Sequence, residues 1–346
     1  MASHRRPKQP HQRTYKAVLG VTAAAAALSA NTAQADPLPD PKAKGVKAQV
    51  DRLYEEATQA TEKYNGANEK EGKLRKEVEK LQDTVARSQA ELNDLRDGLG
   101  SMATAQYRSG GIDPSVQLLL ASDPDGYLEK ASTLDRLSSQ QLAVLKQAQA
   151  KQRTLQQQRT EAAEKLRALE DTRGELRERK KEIQGKLAKA QRLLNKLTAE
   201  EKAKMEAEEA RANRTSARAD LGSQGSATAR TGSAFEAAKS RVGMPYVWGA
   251  TGPSSFDCSG LTSWAFAQAG VTIPRTSQAQ ANAGTRINSQ SDLRPGDLVI
   301  MRSDLSHVAF YAGNGQILHA PKPGANVRYE PMSTSGMPFM WGVRIG

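Results

Sequence analysis

A single cysteine, Cys258, stands in 346 residues, and two of the four histidines, His307 and His319, follow it within 61 positions. The other two, His4 and His11, lie in a basic leader. One thiol with two imidazoles downstream is the residue set of a nucleophilic hydrolase. One imidazole takes the thiol proton and later protonates the leaving group, and a second polar group fixes the tautomer of the first. On this reading Cys258 attacks an acyl carbon, His307 is the base and His319 orients it. The cysteine opens a predicted helix in Phe256-Asp257-Cys258-Ser259-Gly260-Leu261. The free N–H groups and the dipole of a helix start favour a thiolate and can meet an oxyanion, with the Tyr246 hydroxyl as a further donor. A zinc site needs a fourth ligand, which neither another Cys or His nor a well-spaced carboxylate supplies, so neither metal nor cofactor is expected.

Positioning falls to short strands, read at 296–301, 307–312, 316–320 and 341–345, behind a first helix over 235–242. Gly313-Asn314-Gly315 turns the middle pair into a hairpin. A three-residue loop sets His319 opposite Ala309, diagonally beside His307 on one face, about 7 to 8 Å apart at the backbone. A two-residue loop would put the two rings on opposite faces.

All five Phe and all three Trp lie after residue 234, so the conventional core is C-terminal. Before it, from Val46 to Met102, apolar residues alternate at spacings of four and three, broken only at Glu71 and Ser88. That is a coiled-coil seam, about 85 Å long at 1.5 Å per residue. Turn chemistry over 107–127 interrupts it, around the patch Val116, Leu118, Leu119 and Leu120, and a second helical run extends to about residue 210. Two helices of similar length suggest an antiparallel hairpin, a parallel homodimer being the alternative. A Gly/Ser/Ala/Thr mix over 211–232 reads as a flexible linker between the hairpin of 36–210 and a domain of 233–346.

Residues 1–35 carry Arg5, Arg6, Lys8, Arg13 and Lys16 with no acid, then an apolar run over 17–30 and Ala33-Gln34-Ala35. This reads as a secretory signal peptide cleaved after Ala35. Its removal takes the formal charge from +12 to +7. Export argues against nucleic acid as a partner and makes an anionic wall or membrane surface the attractor.

The C-terminal part resembles the NlpC-type cell-wall cysteine endopeptidases, compact relatives of papain. Tyr246-Val247-Trp248-Gly249, Asp257-Cys258-Ser259-Gly260-Leu261, Pro274-Arg275-Thr276-Ser277, Arg294-Pro295-Gly296-Asp297-Leu298, His307-Val308-Ala309-Phe310-Tyr311 and His319-Ala320 follow that family's order and approximate spacing. The resemblance covers 233–346 and implies an α+β fold of helices and an antiparallel sheet. It also implies a Cys258, His307, His319 triad that hydrolyses peptidoglycan stem peptides, usually between D-glutamate and the following diamino acid. Tyr246 matches the family's active-site tyrosine, and Asp257 and Ser259 match positions near the substrate's N-terminal end. Arg275 either holds a substrate carboxylate or merely pairs with a surface acid. The N-terminal part is similar to helical hairpins of secreted wall hydrolases, which restrain the enzyme or dock it on a membrane complex resembling the division-associated ABC transporter. The expectation is a secreted enzyme at the cell wall or surface. A wall-binding adaptor without turnover, or an acyltransferase or amidase on the same fold, is the rival.

Overall fold

The computed structural model describes residues 41–108, 116, 126–216, 218–226 and 228–346. The expected leader, and the expected tip apart from its ends and Val116, lie outside them. Two long helices, α1 (Pro41–Arg108) and α2 (Tyr127–Asn195), form an antiparallel hairpin. Cross-helix partners fix the direction: Glu56 meets Lys186, Glu71 meets Arg173 and Glu77 meets Lys165, one number rising as the other falls. The heptad seam closes within the chain. Leu74 and Val78 pack on Leu169, and Leu92 packs with Ala148 and Leu155. Among the described residues no helix is long and apolar enough to cross a membrane.

A third helix, α3 (Ala199–Ser216), follows a short break. Thr198 and Glu201 build a capping box there, the Glu201 N–H donating to Thr198 Oγ1 and the Thr198 N–H to Glu201 Oε2. The linker therefore starts later than residue 211. Contacts with the C-terminal domain hold this last stretch helical: the Tyr329 N–H donates to Ser216 Oγ at 2.6 Å, and Arg328 pairs with Glu209 at 2.5 Å.

The C-terminal domain opens with α4 (Ala229–Lys239), earlier than the expected 235–242 because Thr228 and Thr231 cap it reciprocally. Helix α5 (Cys258–Gln268) and the single turn α6 (Ser277–Gln280) precede the sheet. Its strands are β1 (Thr285–Ile287), β2 (Leu298–Met301), β3 (His307–Gly313), β4 (Gln316–His319), β5 (Arg328–Pro331) and β6 (Phe339–Arg344). All pairs are antiparallel, in the order β1-β6-β2-β3-β4-β5. Alternation along β2 and β3 sends Leu298, Ile300, Val308 and Phe310 to one core with α4 and α5, and Val299, Met301, Ala309 and Tyr311 to a second. Phe310 sits between Phe266, stacked at 5.6 Å, and Phe235 at 6.0 Å, so the helices are fixed against the strand that starts at His307.

The β3–β4 hairpin reaches the expected register by an unexpected route. Its loop is the two residues Asn314 and Gly315, both at positive φ, but a bulge between Tyr311 and Gly313 supplies the extra residue. Phe310 therefore pairs with Leu318, which sets His319 across from Ala309 and on the face of His307.

Candidate active site

Asp257 builds the start of α5. Its side chain accepts from the Gly260 N–H at 2.7 Å and the Gly249 N–H at 3.0 Å, capping the helix and tying it to the preceding loop. A Cβ at Gly260 would lie 2.1 Å from the Ala250 carbonyl oxygen, so only glycine lets the loop approach this closely. Arg275 takes both carboxylate oxygens of the fully buried Asp257, at 3.0 and 2.6 Å, and donates to Ser259 Oγ at 2.7 Å. Arg275 thus pairs with an acid, but not with the surface acid that was one of its two expected roles. The acid is the buried helix cap itself.

His307 Nε2 and His319 Nδ1 lie 2.9 Å apart with the rings edge to face. His319 Nε2 in turn meets Glu330 Oε2 at 3.1 Å, and Arg328 Nη2 donates to the same oxygen at 3.3 Å. Glu330 extends the relay to a third member that the sequence did not disclose, because β5 itself was not legible there. With Nε2 occupied, Nδ1 is the His307 nitrogen left for a thiol, and it is buried without a partner. The Cys258 sulfur packs against the chain on both sides of this ring, 3.9 Å from the Ser306 carbonyl oxygen and within reach of the Val308 N–H. Tyr246 is buried close to the sulfur and beside Thr58, its hydroxyl without a well-formed hydrogen bond. Cys258, His307, His319, Tyr246, Asp257, Ser259 and Arg275 thus converge on one place.

A family description, NlpC/P60 family, matches residues 243–343. The chain carries an NlpC/P60 domain. A probable endopeptidase of Corynebacterium glutamicum is 48% identical over 122 residues, which are 35% of this chain and 57% of the relative. The chain thus spans little more than half the length of that relative. A crystal structure of the P60 domain of an antigen of Mycobacterium avium subspecies paratuberculosis is 36% identical, covering 34% of this chain and 94% of that one, with a TM-score of 0.30. RipD of Mycobacterium tuberculosis, titled a non-catalytic NlpC/p60 domain protein adapted to peptidoglycan binding, is 28% identical over 34% of this chain and 99% of its own, with a TM-score of 0.30.

The cleft of this NlpC/P60 domain is filled by α1. Glu62 Oε1 accepts from Ser259 Oγ at 2.7 Å and faces the Cys258 sulfur at 3.7 Å; Oε2 accepts from the Ser277 N–H at 2.7 Å and Ser277 Oγ at 3.0 Å. Asn65 donates to Asp257 at 3.1 Å, and Tyr64 stands edge-on to Trp248 at 5.4 Å. Cys258 and Glu62 are each only 1% exposed. The sequence hid this contact because Glu62 reads as one more solvated charge on a coiled-coil face. A weak signal existed in Thr58, Thr61, Asn65 and Gly66, four poor helix formers in the middle of a helix.

Occupation changes the electrostatics expected of Cys258. A helix start favours thiolate, yet here burial first, then the Glu62 and Asp257 carboxylates, push the thiol well above its ordinary 9.0, with the Val308 N–H and Arg275 opposing. The dipole is already spent on Asp257, and α1 has replaced water by a carboxylate. Burial, and then His319 and Arg302, hold His307 well below 6.5; burial also lowers His319, with Glu330 opposing. Burial acts upward on Glu330, but the His319 hydrogen bond and Arg328 outweigh it and leave that carboxyl below 4.5. Burial and the neighbouring Asp257 push Glu62 itself upward. In the closed form the site holds a protonated thiol and neutral imidazoles.

Proposed function

We propose that this chain is a secreted cysteine peptidase of the cell wall that hydrolyses peptidoglycan stem peptides at the bond between D-glutamate and the following diamino acid. The observation that carries the reading is the relay from Glu330 through His319 to His307, with the Cys258 sulfur packed against the backbone on both sides of His307. Once α1 leaves, His307 takes the thiol proton and the sulfur bonds to the acyl carbon; the carbon–nitrogen bond breaks as the proton passes to the leaving amine. Water, deprotonated by the same ring, then releases the thioester as a carboxylic acid. In this reading the free N–H groups at the start of α5, that of Cys258 among them, and the Tyr246 hydroxyl meet the oxyanion.

The hairpin regulates and recruits in this reading. Its near end covers the site, and near its far end Leu137, Leu142 and Leu145 are exposed, a surface suited to a partner such as a membrane division complex. Defined muropeptides incubated with the full chain should yield new amine and carboxylate termini at one bond, and Cys258→Ala should lower the rate by about ten-thousand-fold or more. Wall binding without turnover by the intact chain would favour the adaptor alternative. Product masses separate hydrolysis from acyl transfer or amidase activity.

A further inference from the structure

We propose that α1 is a built-in pseudosubstrate whose Glu55 holds the place of a substrate carboxylate, so that Arg302 receives a free carboxylate on the leaving half of the peptide. This rests on the peptidase reading and adds the substrate's charge to it. Glu55 and Glu62 lie on one face of α1, two turns and about 10 Å apart. Glu62 reaches the nucleophile, whereas Glu55 pairs with Arg302 at 2.8 Å on the strand side of the cleft. Beyond Arg302 a groove of about 590 Å³ runs between α1 and the domain, which lines it with three cations, Arg302, Lys322 and Arg328, and one acid, Glu330. The residues of α1 and α3 that meet these cations are acids: Asp51 on Lys322 at 2.6 Å and Glu209 on Arg328 at 2.5 Å.

Arg302 is not placed casually. It follows β2 with φ at +67°, the left-handed region that a long side chain rarely takes, and its side chain is largely buried at 14% exposure. That cation lies close enough to depress both imidazoles. A general base must accept a proton, and an unmatched arginine beside it opposes that step. Glu55 matches the charge in the closed form. When α1 leaves, a carboxylate on the departing half of the substrate would match it again, binding the peptide and restoring the base together.

The test uses the full chain with three stem peptides that differ at the diamino acid: side-chain carboxylate free, the same carboxylate amidated, and lysine, which lacks it. Glu55→Gln and Arg302→Gln break the same ion pair, so both should raise the alkylation rate of Cys258 several-fold. Their selectivity should diverge. Glu55→Gln should keep or raise kcat/KM on the free-carboxylate peptide and keep a preference of at least about ten-fold over the other two. Arg302→Gln should cleave all three alike, and Arg302→Lys should recover part of the preference. Equal selectivity in Glu55→Gln and Arg302→Gln would overturn the assignment. Equilibrium binding of the same peptides to chains carrying Cys258→Ala with Glu55→Gln, with and without Arg302→Gln, reads the carboxylate receptor without turnover. A binding preference that needs Arg302, without cleavage by any chain, would sink the peptidase reading alone; binding indifferent to the carboxylate would sink this one.

Discussion

One helix makes two contacts of opposite chemistry. From Leu74 to Leu99, α1 presents Leu and Val to Leu169, Leu155 and Ala148 of α2. From Asp51 to Asn65 it adds a second face of carboxylates, hydroxyls and an amide, set against Cys258, Ser259, Ser277 and Asp257. A buried leucine contributes about 1.5 to 3 kcal/mol that water cannot replace. A polar contact nets about 0.5 to 1.5 kcal/mol, because water offers the same partners when it breaks. The apolar seam therefore builds a permanent rod, and the polar face makes a latch. The expectation is that opening of the active site is a separate equilibrium from folding of the hairpin.

The firmest way to break that distinction is in the seam. Leu155→Ala empties a site 3% exposed and should destabilise the hairpin by about 2 to 4 kcal/mol in urea or thermal unfolding of the full chain. The alkylation rate of Cys258 under native conditions should stay within about two-fold. A rate that climbs with the lost stability would mean that rod and latch are one unit. Glu62→Ala works from the other side. It removes the acceptor of two Ser277 hydrogen bonds and one from Ser259, and alkylation should rise by roughly ten- to a hundred-fold while the melting temperature barely moves. An unchanged rate would mean that the bulk of α1, not its carboxylate, closes the site.

What the sequence disclosed follows the same division. Spacing within one element was readable: the seam of α1 and the helix start at Cys258, whereas the facing of His307 and His319 across two strands hung on a loop length that the sequence left open. The hairpin register came out as expected although its loop is a residue shorter, since the bulge at Tyr311–Gly313 restores the count. Contacts between distant segments were not readable. Glu330 joins the relay only because β5 pairs with β4, and Glu62 reaches Cys258 across 196 positions of chain. The linker boundary was missed for a related reason, as Arg328 and Tyr329 hold the end of α3 helical from outside.

The smallest expected effect sharpens how the latch is read by pH. Burial and Asp257 raise the Glu62 carboxyl in the closed form, while an exposed glutamate in the open form keeps its ordinary value near 4.5. Closure gains from a group whose closed-state value is raised, so that contribution is fully present below the ordinary carboxylate range and is lost as pH rises through the higher value. Facing Glu62 are Asp257, which adds to the effect, Arg275, which opposes it, and the Cys258 thiol, which points its sulfur at Oε1, with Asn65 as the neighbour on its own helix. Thiol ionisation also speeds alkylation as pH rises, so the raw rate cannot be used. Alkylation proceeds through the open form, where Glu62 is away from the sulfur, so the ratio of the wild-type rate to that of Glu62→Gln divides out the open-form thiol and histidines. That ratio should climb a few-fold as pH rises above the carboxylate range, because the Ser259 and Ser277 hydrogen bonds restrain the shift. A ratio that stays flat would show that Glu62 enters the cleft already ionised, held by its hydrogen bonds alone, and that pH does not work the latch.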